Sequence, residues 1–367
     1  MAKTCVLTGG GTAGHIYPAL ALAERLEERG WEVLYAGTPT GVEARLAPEA
    51  GIPFQPFVAS GFDRSHPLTL ITGIVRIQKS TLAAKRWLKQ VKPDVVVGFG
   101  GYVSIPVVRA AEQLGIPVVV HEQNSVMGLA NKMAAKHASA VCVTYGQTCS
   151  CVPGGTRAEV TGNPVRSSIL SATREESRRL FGIPEEATML LVFGGSLGAR
   201  HINQALVSLK EELLAREDLY VMHVTGPKEL EATKAALGLT PEEVKRYIVL
   251  GYQDKMPQAM AATDAIVSRA GATSLAEISA RRIPAILVPY PYATADHQTT
   301  NAEAWVESGA ALMIPDADVE GEGFRRAVLQ LVDDPALRQQ MRDAAGAADS
   351  LLAADCLADT VCSLSAS

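Results

Sequence analysis

The sequence predicts an α/β protein built as two successive parallel-sheet halves, and three observations predict it. Short β-branched runs such as "DVVVGFGG" and "IPVVVHEQN" are apolar throughout rather than alternating, as strands covered by helices on both faces should be. Each run ends in glycine or polar residues and is followed by helical spacing, as in "YPALALAERLEERG". The grammar then restarts: "TMLLVFGGSLGARHINQALVSL" repeats the strand–glycines–helix opening of the N-terminus. At 367 residues the chain also exceeds one ordinary core.

Taken in order, the first half offers strands at "TCVLTGG", "EVLYAG", "DVVVGFGG", "IPVVVHEQN" and "AVCVTY", with Gly30 closing the first helix. The second half offers "TMLLVFGG", "DLYVMHVTG", "RYIVLGY", "AIVSRAG" and "PAILVPYP". The halves join near "VTGNPVRSSIL", which gives domains 1–163 and 164–345. Residues 346–367 are expected to form a helix packing back on the first domain. Open parallel sheets bind ligands at the carboxyl ends of their strands, so the glycine-rich ends of both halves are expected to face one another across a cleft.

Composition narrows the class. A hydrophobic fraction of 47% with 20% charged residues describes an ordinary soluble globular chain, and a net charge of −5 argues against a nucleic-acid partner. No apolar run approaches the ~18 residues of a membrane span. "MAKTCVLTGGG" reaches glycine too early for a signal peptide. Six cysteines without a CxxC pair read as reduced thiols, and Cys149 and Cys151 lack the partners of a zinc site.

The glycines carry the first chemistry. Gly9, Gly11 and Gly14 satisfy G-x-G-x-x-G between a strand and a helix, but the second strand ends "YAGTPT" without the acid that holds a dinucleotide's ribose. The same glycines imitate half of a phosphate-binding P-loop, with "GH" where "GK[ST]" belongs. What remains is general: open backbone amides at a helix N-terminus favour an anion, while a tight turn that needs glycine only for sterics is the bland alternative. His15 stands where lysine would, and an imidazole can exchange a proton near neutral pH.

A second asymmetry lies between Arg64 and Lys92. The stretch has no acidic residue and seven basic ones: Arg64, Arg76, Lys79, Lys85, Arg86, Lys89 and Lys92. They interleave with apolar residues such as Leu68, Ile74, Val75, Leu82 and Trp87. Such a helix suits an anionic bilayer surface, although an ordinary packed helix with a basic outer face reads the same way.

Seven stretches in fixed order make a resemblance: "GGGTAGHIYPALALA", "PDVVVGFGGYVSIP", "GIPVVVHEQNSVMGLANK", "TGNPVR", "FGGSLGARHINQAL", "SRAGATSLAEI" and "DHQTTNA". Together they resemble glycosyltransferase family 28, in particular its peptidoglycan N-acetylglucosaminyltransferases. The resemblance implies a GT-B fold, two Rossmann-like parallel-sheet domains facing across a cleft. It implies inverting transfer of GlcNAc from UDP-GlcNAc to the MurNAc 4-hydroxyl of lipid I, giving lipid II and UDP. It also implies a C-terminal donor domain and an N-terminal acceptor- and membrane-binding domain, peripheral to the cytoplasmic face of the plasma membrane, with cell-wall synthesis and division proteins as further partners.

Motif by motif, the resemblance assigns the donor to Thr12, Ala13, Gly14, Asn124, Arg166, Ser196, the backbone near Gln253, the helix start Ala272, Thr273, Ser274, Leu275, Ala276 and Glu277, and Gln298 with Asp296 beside it. Ser196 is expected to open a helix. Glu277, by itself an ordinary solvated helix residue, would hold the ribose diol, because two carboxylate oxygens suit two hydroxyls. Gly11, Gly101, Tyr102 and Ser104 would meet the acceptor diphosphate. His15 is the favoured general base, with Glu122 its rival and an acceptor contact or a structural hydrogen bond the competing roles. No cofactor and no metal are expected: Asp316 and Asp318 form a D-x-D, but late and in a short acidic loop read as solvated surface. A UDP-GlcNAc 2-epimerase of the same fold and a non-catalytic UDP-sugar-binding module are the alternatives.

Overall fold

The structure is a computed structural model that describes residues 2–58, 67–345 and 351–365, with the side chains of 67–74 outside the description. The chain divides into two units, Met1–Arg166 with Asp349–Ser367, and Ser167–Ala348.

The sheet of the first unit contains β1 (Thr4–Thr8), β2 (Glu32–Gly37), β3 (Phe54–Pro56), β4 (Val95–Gly98), β5 (Val118–Glu122), β6 (Ala140–Val143) and β7 (Ala158–Val160). All pairs are parallel and the order is β3-β2-β1-β4-β5-β6-β7. In the second unit β8 (Thr188–Phe193), β9 (Leu219–Val224), β10 (Tyr247–Leu250), β11 (Ala265–Ser268), β12 (Ala285–Leu287) and β13 (Ala311–Met313) form a parallel sheet of order β10-β9-β8-β11-β12-β13. The continuous apolar runs are the central strands: Val95, Val96 and Val97 of β4 are entirely buried, as are Leu190, Leu191 and Val192 of β8. The sequence reading omits β3, β7 and β13. Each has three residues and lies at a sheet edge, too short for a period to show.

Both sheets reverse direction at an equivalent place. The chain runs outward from β1 and then returns to add β4 on the other side, and it does the same between β8 and β11. In open parallel sheets, ligands bind outside the carboxyl ends of the strands at such a reversal. The "GGGTAG" and "GFGGY" loops follow β1 and β4, and "GGSLGA" and "RAGATS" follow β8 and β11.

In the first unit the helices used below are α1 (Ala13–Glu28), α2 (Glu43–Glu49), α3 (Pro67–Val91), α4 (Ile105–Leu114) and α5 (Leu129–Ala134). Helix α1 ends as its sequence suggests, with Gly30 at φ +80° donating its N–H to Glu27 O at 2.9 Å. The C-terminal helix Ala353–Leu364 joins the same core, where Leu357 and Val361 are fully buried with Leu22 and Leu26 of α1. Burial of each such side chain contributes on the order of 1.5–3 kcal/mol. Arg29 pairs with Asp359 at 2.7 Å and with Asp355 at 3.2 Å at its rim, where exposed pairs add little.

Helix α3 has two described faces. Ile77, Ser80, Thr81, Ala84 and Leu88 are buried, with Ala84 and Leu88 in the core that contains Val107 and Ala111 of α4. Facing outward are Arg76, Lys79, Arg86 and Lys89, together with Val75 at 45% and Leu82 at 57% exposure. Arg64, the first residue of the basic stretch, lies outside the described residues.

Candidate active site

In the first unit the loops after β1 and β4 press against each other. Gly101 has φ +74°, and a Cβ there would stand 2.4 Å from Gly10 O, so no other residue fits without moving the loop. The Tyr35 hydroxyl donates to Gly9 O at 3.0 Å, which fixes the loop from below. Ser104 is buried and donates its hydroxyl to Gly101 O at 2.9 Å. Tyr102 is 37% exposed beside Gly11. Ser104 therefore braces the loop that Tyr102 presents.

Glu43, which the sequence reading does not single out, lies directly behind the first glycines. It is fully buried and accepts from Thr38 N at 3.0 Å, from the Thr38 hydroxyl, and from Gly11 N at 3.3 Å. The Gly11 amide, expected to be open to an anion, is thus engaged by a carboxylate of the same unit. "TPTGVEARL" gives no signal for this, because the partner is a backbone amide more than thirty residues earlier.

The end of β5 supplies "HEQN". Glu122 is 1% exposed, and its carboxylate accepts from Asn124 N at 3.1 Å, Asn124 Nδ2 at 3.2 Å, Gly128 N at 2.9 Å and Asn131 Nδ2 at 2.9 Å. A carboxylate has about four lone-pair positions, and four donors meet this one. It ties the β5 end to the start of α5. Asn124 is drawn inward by the same contacts.

His121 and Gln123 point to the other side. The His121 Nε2 lies 2.9 Å from Gly162 O, and its Nδ1 lies 3.0 Å from the Gln123 amide nitrogen. The Gln123 oxygen lies 2.9 Å from Nδ1 of His15, which is half-buried in the first turn of α1. Burial pulls the His121 imidazole down to about 4, so it is neutral at physiological pH. The structure thus joins His15 to "HEQN", more than a hundred residues away, and adds Gln123 and His121 to the predicted set. Thr12, Ala13 and Gly14 form the entry to α1, with Thr12 as its N-cap residue. Arg166, the last residue of the first unit, stacks its guanidinium 3.7 Å from the Tyr17 ring centroid.

In the second unit Ser196 does not open a helix. It is exposed in the loop after β8, and the helix begins only at Arg200, with Ala199 as N-cap. The delay has a steric cause. Gly198 sits at φ +81° with its Cβ position 2.0 Å from Thr225 O, so the chain must complete a glycine turn before it can wind. The helix Ala272–Ala280 starts directly after Gly271 and carries Ala272, Thr273, Leu275, Ala276 and Glu277 in buried positions, with Ser274 half-buried. Glu277 is only 6% exposed, so it is not the solvated helix residue its isolated context suggests. Gln298, in the helix His297–Glu307, accepts through its oxygen from Ala270 N at 3.2 Å and Tyr290 N at 2.9 Å. It clasps the segments following β11 and β12. Just before it, Ala295 and Asp296 both adopt φ above +50°, and Asp296 accepts from the Thr299 hydroxyl at 2.7 Å. Gln253 turns its side chain inward, with its nitrogen 3.2 Å from Met222 Sδ, and accepts from Lys255 N at 3.0 Å.

Asp316 corrects the surface reading of the D-x-D. It is buried, pairs with Arg269 at 2.5 Å and lies 2.6 Å from His201 Nδ1. Arg269 follows β11, is itself 11% exposed, and donates to Val288 O at 3.2 Å and Pro289 O at 3.1 Å. A guanidinium held there needs a counter-charge, and Asp316 supplies it. Asp318 is exposed.

Comparison with known proteins adds independent findings. The glycosyltransferase family 28 N-terminal domain matches residues 5–143, and the glycosyltransferase family 28 C-terminal domain matches residues 189–356. The UDP-N-acetylglucosamine--N-acetylmuramyl-(pentapeptide) pyrophosphoryl-undecaprenol N-acetylglucosamine transferase of Leuconostoc mesenteroides is 44% identical over 342 residues, 93% of each chain. The protein of the same name from Halothermothrix orenii is 40% identical over 334 residues, 90% of each chain. A crystal structure of Acinetobacter baumannii MurG superposes with a TM-score of 0.73 at 31% identity, covering 98% of this chain and 99% of that one.

Proposed function

This chain belongs to glycosyltransferase family 28, and on that premise we propose that it transfers GlcNAc from UDP-GlcNAc to the MurNAc 4-hydroxyl of lipid I, giving lipid II and UDP in peptidoglycan synthesis. The observation that carries the reading is the identity of 44% over 93% of a relative bearing that activity in its name. Transfer is a single displacement. The acceptor oxygen attacks the anomeric carbon from the face opposite the diphosphate, the bond from that carbon to UDP breaks, and the configuration inverts.

His15 is the general base. Glu122 has four donors on its carboxylate, so taking a proton would break contacts that hold the β5 end, whereas the ring of His15 is bonded at one nitrogen to Gln123. Histidine is the side chain most often used as a general base near neutral pH. Gly11, Gly101 and Tyr102 meet the acceptor diphosphate, with Ser104 holding their loop in shape. The donor is held mainly by the second unit. Ser196 and the start of the helix Arg200–Ser208 face the diphosphate, Glu277 and the turn Ala272–Ala276 hold the ribose, the backbone near Gln253 reads the uracil, and Gln298 meets the sugar. Thr12, Ala13, Gly14, Asn124 and Arg166 add donor contacts from the first unit. Helix N-termini carry the leaving-group charge in place of a metal.

No helix among the described residues is long and apolar enough to cross a membrane. The protein reaches its lipid-linked acceptor peripherally, from the cytoplasmic face, through the basic and apolar outer face of α3. Incubation with labelled UDP-GlcNAc and a short-chain lipid I analogue tests the whole reading. Lipid II is the expected product. Release of UDP-ManNAc or ManNAc would make the protein an epimerase, and tight UDP-GlcNAc binding without any product would make it a binding module.

A further inference from the structure

The geometry points to Gln123 as the positioning residue that decides which ring nitrogen of His15 carries the proton, through a one-way chain of hydrogen bonds anchored at Gly162. The inference rests on His15 as the base and says how the fold keeps it in the form a base needs.

The chain reads in one direction because its anchor has no choice. Gly162 O can only accept, so His121 Nε2, 2.9 Å away, carries the hydrogen. His121 is fully buried and neutral, so its Nδ1 is a lone pair. The Gln123 group 3.0 Å from that lone pair must be the amide NH₂, which also donates to His121 O at 3.1 Å. Two acceptors therefore fix the amide orientation. Its oxygen then faces His15 Nδ1 at 2.9 Å and can only accept, so Nδ1 carries the hydrogen and Nε2 is left as the basic lone pair.

The orientation suits the reaction. His15 Cδ2, the ring carbon bonded to Nε2, lies 3.4 Å from where a Cβ on Gly101 would stand, so the basic edge of the ring borders the glycine loop assigned to the acceptor. When Nε2 takes the acceptor's proton, the ring becomes cationic, and the Nδ1–H bond to the Gln123 oxygen strengthens. Gln123 is 1% exposed, so water does not compete for this contact. The amide donates to His121 on one side and accepts from His15 on the other, which neither a carboxylate nor a thioether can do. His121 interacts electrostatically with His15, and the neighbouring segments carry Glu122 beside His121 on β5, Tyr102 beside Gly11, Glu43 of α2 on the Gly11 amide, and Arg166 over Tyr17 of α1.

Nitrogen spectra of histidine-labelled protein near neutral pH should show His15 as the Nδ1–H tautomer. The Nε2–H form would overturn the assignment. Gln123→Met removes both contacts and should lower kcat about 10- to 100-fold, by analogy with losing the outer-shell partner that orients a metal-ligating histidine, with the KM for UDP-GlcNAc unchanged. Gln123→Glu keeps the shape but places a carboxylate on Nδ1–H. Its second oxygen meets the His121 lone pair and His121 O, so kcat should fall as in Gln123→Met, while the acidic limb of the kcat–pH profile moves upward by about one pH unit, because an adjacent negative charge favours the protonated ring. A Gln123→Glu profile superimposable on the wild type, with undiminished kcat in Gln123→Met, would sink the inference. His15→Ala separates the two claims. If it abolishes the acidic limb, the base stands whatever Gln123 does. If it leaves kcat intact, the base falls, while the tautomer spectrum still reports on Gln123.

Discussion

The two units share a grammar and differ in what they attach to it. Each has a parallel sheet that reverses at its first strand, glycine loops at the reversal, and a buried histidine near a strand end paired with an amide: His121 with Gln123 in the first, His223 with Asn203 in the second. In the second unit the arrangement closes on itself. His223 Nε2 meets Asn203 Oδ1 at 2.9 Å, the Asn203 nitrogen donates to Thr225 O at 2.9 Å, and the other ring nitrogen faces the Tyr247 hydroxyl at 3.3 Å. In the first unit the far end of the amide leads to His15, a half-buried ring beside a glycine loop. A buried histidine–amide pair is therefore a structural part that either unit can use. The two differ in that the amide of the first unit bonds a second histidine, whereas that of the second bonds a backbone carbonyl.

The largest expected effect breaks the comparison if it fails. If the first unit supplies proton transfer and the second supplies donor binding, His15→Ala should lower kcat about 10²–10⁴-fold, the range for a positioned proton acceptor. UDP-GlcNAc affinity, measured by calorimetry, should be unchanged, and the acidic limb of the rate–pH profile should vanish. A raised acceptor KM with kcat preserved would make His15 a binding residue and return Glu122 to consideration.

Next in size is the outer face of α3. Replacing Arg76, Lys79, Lys85 and Arg86 by Ser should weaken sedimentation with anionic vesicles by as much as ~1 kcal/mol for each charge lost. The buried face, Ile77, Ala84 and Leu88, is left intact, so the fold should survive, and UDP affinity should not move. Equal sedimentation of both proteins would make α3 an ordinary packed helix with a solvated basic face.

How far the sequence reveals this comparison depends on where the determinants lie. Fully buried strands write themselves as unbroken Val and Leu runs, so the central strands of both sheets were legible, and so was the restart at Thr188. The edge strands β3, β7 and β13 were not, because three residues carry no period. At the candidate site, the motifs located the glycine loops and helix starts that follow the central strands, but not contacts between segments distant in sequence. Glu43 is assigned by an amide of the loop after β1, and Gln123 by two histidines on different elements. Ser196 was placed on a helix because glycine turns and helix starts share residue preferences, and only the clash at Gly198 separates them. Asp316 was read as surface because its counter-ion, Arg269, is distant in sequence.

A third prediction sharpens the donor side. Glu277 is buried within the first two turns of its helix, so Glu277→Ala should cost about 1–3 kcal/mol of UDP affinity by leaving ribose hydroxyls unpaired. The rate at saturating donor should fall far less than in His15→Ala. Unchanged UDP affinity in a folded variant would remove Glu277 from the site.

The buried histidines give a smaller, symmetrical effect on stability. Burial lowers both from the ordinary value near 6.5 to about 4. Between those values the unfolded chain binds protons that the folded chain does not, so stability is lost as pH falls through this window. Each histidine should contribute on the order of 1–2 kcal/mol of that loss by pH 5. His223→Gln removes one of the two, so its unfolding midpoint should fall less between pH 7 and pH 5 than that of the wild type. An equal fall in both proteins would show that His223 takes up no extra proton on unfolding.

The smallest effect expected is none at all. A metal-dependent sugar-nucleotide transferase holds the diphosphate through a cation on paired carboxylates, and here the only sequence match is Asp316 with Asp318. Asp316 is buried against Arg269 at 2.5 Å and His201 at 2.6 Å. A cation there would have to displace a guanidinium that is 11% exposed, and breaking such a buried pair costs about 3–5 kcal/mol. The second unit offers helix N-termini in place of a cation, at Arg200 after the Ser196 loop and at Ala272 after Gly271. Saturating EDTA should therefore leave the transfer rate where it was. Asp316→Asn should lower the unfolding midpoint, because it strips Arg269 of its counter-charge, without making the residual activity respond to added Mg²⁺. Activity lost to EDTA and restored by Mg²⁺ or Mn²⁺ would mean that the diphosphate is met by a cation, and that donor binding in the second unit does not rest on helix ends and backbone amides.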